Sequence, residues 1–184
     1  MEKVLERTIE YQSELGSLVA ASRDGDRDAF CRLVRPHLSA ALATAGVIAG
    51  SHADGADAMQ NALLAAWQDI GTLREPDAFP AWFRRLVVRA AVDVARRRRH
   101  VLELNLAIEW PGTDLEDLLD RRRLRRAFNR LAPKDRVVLA LRHVWDLPGA
   151  EMAIQLGVPE GTVKSRVHAA LRRLRAAYEA EDRR

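Results

Sequence analysis

The chain has 184 residues, 48% of them apolar and 30% charged, with one cysteine. That length holds one or two small domains with a packed core; the single Cys excludes a disulfide framework and a multi-thiolate metal site, and no apolar run approaches the ~18 residues of a membrane span. Thirty basic residues against twenty-six acidic ones leave +4, and all but three of the basic residues are Arg, which keeps its charge and suits bidentate phosphate and base contacts.

Apolar residues recur at helical spacing and no stretch alternates with period two, so the expected class is all-α. The N-terminus has no signal-peptide pattern, so a cytoplasmic protein is expected. A first helix is predicted over about 4–22. Asp24-Gly25-Asp26 reads as a turn and helix start. The next stripe is Phe30, Leu33, Val34, Leu38, Leu42 and Ala45, interrupted by Pro36, where a kink or break is expected. Cys31, beside this stripe, reads as a small core residue. Gly50 to Gly55 reads as a loop.

From Asp57 to Ile70 the pattern sharpens. Met59, Leu63, Ala66, Trp67 and Ile70 share one face; Asp57, Gln60, Asn61, Leu64 and Gln68 share the other. Leu64 is then either an ordinary exposed apolar residue or part of a face that docks a partner. After a loop at Gly71–Pro76 comes a long helix, about Asp77 to Arg99. Phe79, Trp82, Phe83, Leu86, Val87, Ala90 and Val94 form its buried stripe, and Arg85, Arg89, Arg96 and Arg99 another face.

Charge is unevenly distributed. Seven Arg lie between Arg84 and Arg99, six acids and no basic residue between 101 and 120, and five Arg between Arg121 and Arg126. Each block alone reads as a solvated face; together, basic blocks flanking an acidic connector fit a nucleic-acid binder with two contact points. The expected organisation is two small helical domains, 1–100 and 114–184, joined by an acidic linker at 101–113. Four helices are predicted in the second, over about 114–131, 133–146, 149–156 and 159–178.

The last two helices carry the strongest motif, Pro148 through Val167. A helix-turn-helix needs a small residue where its helices cross (Ala153), a turn residue free to take positive φ (Gly157), and apolar residues closing the pair (Met152, Leu156, Val158, Val163). The second helix continues with Val167, Ala170, Leu171, Leu174 and Tyr178 inward. Lys164, Ser165, His168, Arg172 and Arg175 face outward, which suits a helix whose N-terminal part enters a major groove. The five His residues have no metal-ligand spacing and no catalytic constellation appears, so no enzyme activity, metal or cofactor is expected.

With these motifs in hand, the chain resembles the extracytoplasmic-function (ECF, group four) sigma factors of bacterial RNA polymerase. Three segments in order carry the likeness: Asp54-Gly55-Ala56-Asp57-Ala58-Met59-Gln60-Asn61-Ala62-Leu63-Leu64-Ala65-Ala66-Trp67, then Phe79-Pro80-Ala81-Trp82-Phe83-Arg84-Arg85-Leu86 with Asp93 to Arg99, then Gly161-Thr162-Val163-Lys164-Ser165-Arg166-Val167-His168. The resemblance implies a factor that binds core RNA polymerase at its clamp and flap and directs initiation at promoter DNA, with an anti-sigma factor as a possible regulator. It places Asp54, Asp57, Gln60, Asn61 and Leu64 on the clamp-binding helix, with Trp67 as its core anchor. The loop Glu75 to Phe79 would hold a flipped minus-ten base, with Phe79 at its edge. Arg85, Arg89, Arg96 and Arg97 would contact the minus-ten strand. Thr162, Lys164, Ser165, Arg166 and His168 would read or clamp the minus-thirty-five duplex, a couple of helical turns away. The acidic linker would pass through the polymerase.

The chain departs from the family at Ala56 and Asn61, where Glu is frequent, at Arg89 in place of a polar Asn, at Ala169 in place of a basic residue, and at Pro148-Gly149-Ala150, which lacks the usual aromatic. Two alternatives stay open on the residues alone: a stand-alone helix-turn-helix regulator, and a degenerate sigma-like protein that binds polymerase without initiating.

Overall fold

A computed structural model of the chain describes residues 14–98 and 115–182, and among these every regular element is helical. The expected linker at 101–113 and the start of the first predicted helix lie outside the described residues. Helix α1 occupies 14–23. A turn with Gly25 at φ +90° leads into α2 (Arg27–Val34), whose N-cap Asp26 accepts from the backbone N–H of Asp28 and Ala29 at 2.8 and 3.0 Å.

Pro36 does break the next segment. A 3-10 turn at Arg35–His37 separates α2 from α3 (Leu38–Ala49) and resets the helical phase. The buried face of α3 is therefore Ala41, Thr44, Ala45, Ile48 and Ala49, whereas Leu38 and Leu42, expected in the core, are exposed. Cys31 is also exposed: the inward face of α2 is Ala29, Phe30, Leu33 and Val34, and position 31 points away from it.

Helix α4 (His52–Asp69) begins earlier than expected, at the N-cap Ser51, so Gly55 is helical and not part of a loop. Its role is close approach. A Cβ on Gly55 would lie 2.6 Å from Cα of Gly46, so α3 and α4 cross with backbones nearly touching. Two 3-10 turns, Ile70–Thr72 and Pro76–Ala78, lead into α5 (Phe79–Arg98), which packs on both α3 and α4. Phe79, Phe83, Val87, Ala91 and Ala95 form its fully buried line.

The second group comprises α6 (Leu115–Arg130), α7 (Pro133–His143), α8 (Gly149–Leu156) and α9 (Glu160–Asp182). Helix α9 packs on α6, α7 and α8. Residues Asp135 to Leu141 of α7 are all buried. A helix buried all round needs cover on every side, and α7 has it: α9 and α8 pack on it from its own group, α3 and α5 from the first. One continuous apolar cluster thus runs from Val19 and Phe83 through Leu139 to Met152 and Ala170. No helix among the described residues is long and apolar enough to cross a membrane.

Candidate nucleic-acid interface

The helix-turn-helix forms as its residues require. Gly157 ends α8 at φ +63°, ψ +38°, and the N–H groups of Gly157 and Val158 both turn back onto the Ala153 carbonyl, the latter at 3.1 Å. Met152 and Val163 are buried between the two helices, with Ala153, Leu156 and Val158 packed beside them. The carbonyl of Pro159 accepts from Thr162 and Val163, which starts α9 tightly after the turn. The first turns of α9 then present Lys164, Ser165, Arg166 and His168 to solvent; Thr162 is half-buried, and its carbonyl accepts from the Ser165 hydroxyl at 2.9 Å. Leu171, expected inward, is 39% exposed, because Ala170 and Leu174 occupy the contact with the underlying helices.

Not every basic side chain of this group is available. Arg173 is paired with the buried Asp135 at 2.9 Å and pins α9 to α7. Arg126 and Arg130 both reach the buried carboxylate of Glu181, and Arg123 lies 4.0 Å from Asp120. Tyr178 reaches Asp120 at 3.2 Å. The basic block at 121–126 therefore helps hold α6 to the end of α9, a use its composition did not reveal.

On α5 the charges divide. Arg85, Arg89, Arg96 and Arg97 are exposed on the helix surface. Phe79 is fully buried, not at the loop's edge: its ring stacks on Phe83 (centroids 5.7 Å apart) and meets Trp82 at 5.9 Å and His37 at 5.8 Å. It anchors the Glu75–Phe79 loop from beneath and offers no surface to a base. Arg23 also fastens the preceding loop by donating to the Leu73 carbonyl. Burial, with the Arg84 charge second, holds the His37 imidazole below its ordinary pKa.

Arg84 was not singled out from sequence. Its side chain is only 8% exposed, lying over the Trp145 ring at 5.3 Å, with Nε 3.5 Å from Gln155 Oε1 and Nη2 3.8 Å from Glu151 Oε2. Burial lowers its pKa; the Glu151 carboxylate opposes that and neighbouring Arg85 adds to it. No signal in the local sequence separates Arg84 from Arg85, because its burial comes from helices sixty residues and more away.

On α4, Asp57, Gln60, Asn61 and Leu64 fall at helical spacing on one exposed face, with Leu64 56% exposed. Asp54 stands at the edge of this face. Ser51 Oγ accepts from the Asp54 N–H at 3.1 Å and donates to the Asp54 carboxylate, a reciprocal cap at the positive end of the helix. Trp67 is half-buried edge-on against Phe30, centroids 5.2 Å apart.

Comparison with known proteins adds to this geometry. A family model described as Sigma-70 region 2 matches residues 33–101, and one described as Sigma-70, region 4 matches residues 121–174. The ECF RNA polymerase sigma factor SigM of Mycobacterium tuberculosis is 34% identical over 165 residues, covering 89% of this chain and 84% of SigM. The RNA polymerase sigma-E factor of Streptomyces antibioticus is 34% identical over 160 residues, covering 83% and 86%. The structure of CnrH in complex with the cytosolic domain of CnrY superposes with a TM-score of 0.67 at 26% identity, covering 89% of this chain and 96% of CnrH.

Proposed function

The chain belongs to the ECF sigma factors of the sigma-70 family, and from that premise we propose how its surfaces divide the work of initiation. As a sigma factor it is a polymerase-binding specificity subunit, and the alternative of a stand-alone operator-binding regulator falls away. Polymerase supplies the catalysis; this chain supplies the choice of promoter.

The α4 face of Asp57, Gln60, Asn61 and Leu64, with Asp54 at its edge, docks on the polymerase clamp, which covers Leu64. Arg85, Arg89, Arg96 and Arg97 follow the minus-ten strand, mainly through phosphates. The loop Glu75–Phe79 receives an extruded base on its outer residues, with Phe79 as its floor. Capturing such a base costs a few kcal/mol of unstacking, which is why polymerase must first place both modules. Lys164, Ser165, Arg166 and His168 enter the minus-thirty-five major groove, Thr162 shapes the helix start, and the remainder of the second group meets the flap. The acidic linker passes between the two modules within polymerase. The protein acts in the cytoplasm, and an anti-sigma factor is part of the proposal; CnrH, which shares this fold, was solved in complex with the cytosolic domain of CnrY, which supports a protein partner of that kind.

The observation that carries this reading is the exposed polar start of α9 behind a Gly157-capped turn, on a chain matching both sigma regions in order. Run-off transcription with core RNA polymerase and a promoter library tests it. Promoter-specific transcripts that disappear with Lys164→Ala are expected. Core binding without any transcript would instead identify a degenerate, non-initiating sigma-like protein.

A further inference from the structure

We propose that Glu160 is a specificity-determining residue of the helix-turn-helix: its carboxylate accepts from the N4 amino group of a cytosine in the minus-thirty-five major groove and penalises a duplex that offers no such donor. That role rests on the promoter reading above. It adds an acidic acceptor to a set of contacts that is otherwise basic or hydroxylic.

Glu160 is the first residue of α9 and is exposed. It is the only acid from 160 to 178, and every other charged side chain in that stretch is basic. Steps of four residues put Glu160, Lys164 and His168 on one line of the helix surface, and all three are exposed. The N-terminal residues of a recognition helix are the ones that meet base edges. Gly161 beside it faces open space, so no side chain at that position stands in front of the carboxylate.

The place of the carboxylate is prepared by α8. A Cβ on Gly149 would lie 2.8 Å from Glu160 Oε1 and 3.3 Å from its Cγ, so the Glu160 side chain uses the room that a side chain at 149 would fill. Gly149 opens α8 behind Pro148, which supplies no side-chain cap. The carboxylate therefore lies at the starts of two helices, whose unpaired N–H groups favour negative charge. Other acids of this group are occupied by arginines: Asp135 by Arg173, Glu179 by Arg175, Glu181 by Arg126 and Arg130. Glu160 makes no ion pair and no hydrogen bond with another described residue, so its acceptor capacity is open.

An unpaired carboxylate that faces DNA discriminates between sequences. Phosphates repel it, and its desolvation is uncompensated unless a base donates to it. In the major groove only cytosine N4 and adenine N6 are amino donors, and the adenine N7 beside N6 is an acceptor that repels the second carboxylate oxygen. Cytosine is the base that satisfies the group. A carboxylate that served only the helix ends would alter stability and leave the order of preferred bases alone.

The test selects duplexes with a randomised minus-thirty-five element on the full chain bound to core polymerase. Wild type, Glu160→Gln and Gly149→Ala are compared, with circular dichroism as the check on folding. Wild type should enrich cytosine at one position by about tenfold, the scale of a single side-chain–base contact. Glu160→Gln should lose that cytosine and move toward adenine, whose N6 and N7 match an amide, with the other positions unchanged. Gly149→Ala keeps the charge, but its Cβ displaces the flexible end of Glu160, so the cytosine preference alone should fall about threefold or more. A cytosine preference that persists in folded Glu160→Gln would overturn the assignment. Equal relaxation at every position would overturn it too, since that marks a general loss of docking geometry. Wild-type selection at other positions, with no cytosine that depends on Glu160, would overturn it and leave the promoter reading standing. No enrichment at any position would overturn both.

Discussion

Helices α5 and α9 carry the two sets of proposed DNA contacts, and they are built on opposite plans. Helix α5 is a core element first: Phe79, Phe83, Val87, Ala91 and Ala95 lie along a fully buried line, and its exposed arginines ride on the back of that packing. Helix α9 leans on its neighbours through Val163, Ala170 and Leu174 and leaves the start of its outer face free. The difference shows that Arg content does not measure binding capacity. Of the arginines on α5 and α9, Arg84 is buried between the halves and Arg173 is held by Asp135, while Arg85, Arg89 and Arg166 stay exposed.

The sharpest way to break the comparison is at the floor of the proposed minus-ten loop. Phe79→Ala removes a fully buried ring stacked on Phe83 and should cost about 3–5 kcal/mol of stability, read as a large fall in the denaturation midpoint. A change at the matching functional end of α9 should do the reverse. Lys164→Ala should leave the melting temperature in place and weaken minus-thirty-five binding about tenfold, with the salt dependence shallower by about 0.9 in log–log slope, as expected for one lost phosphate contact. Loss of transcription would then have two distinguishable causes, unfolding at one helix and lost contact at the other.

How much of this was legible in sequence follows the same divide. The α8–α9 unit was legible because it depends on local chemistry: Ala153, Gly157 and the apolar closure do what their spacing demands. The stripe of α5 was legible in part: Phe79, Phe83 and Val87 are buried, whereas Trp82, Leu86, Ala90 and Val94 are only partly buried and Ala91 and Ala95 complete the buried line. Gly55 was not, because a glycine that breaks a helix and one that lets two helices touch look alike until Gly46 is placed against it. Leu38 and Leu42 were misplaced because the 3-10 turn at Pro36 shifts the phase, and a stripe counted through a break loses its register. The residue pattern puts Phe79 in the buried stripe and the family likeness puts it at the loop's edge; its burial and its stacking on Phe83 bear out the first and correct the second. Arg84 was beyond reach, since the groups that bury it, Trp145, Glu151 and Gln155, come from the other half.

A smaller effect sharpens the comparison at the turn before α9. Gly157→Ala forces a Cβ into φ +63° and should cost about 1 kcal/mol, although nothing stands within 4 Å to clash with it. The loss is conformational, so Gly157→Asn should recover part of it, and thermal melting of the two variants decides the point.

The smallest predicted effect concerns pH and falls on the α5 side alone. His37 lies against Phe79 and Phe83, with Arg84 nearby, and both burial and that charge hold its pKa below the unfolded value of 6.5. Above that value the imidazole is neutral in both states and the contribution is complete. As pH falls below 6.5 the unfolded chain takes up a proton that the folded chain resists, so stability declines until the depressed folded pKa is passed, and then levels. His37→Phe keeps a ring against Phe79 and removes the titration, so its melting temperature should fall less than that of wild type between pH 7 and pH 5. An identical decline in His37→Phe would remove His37 as its source.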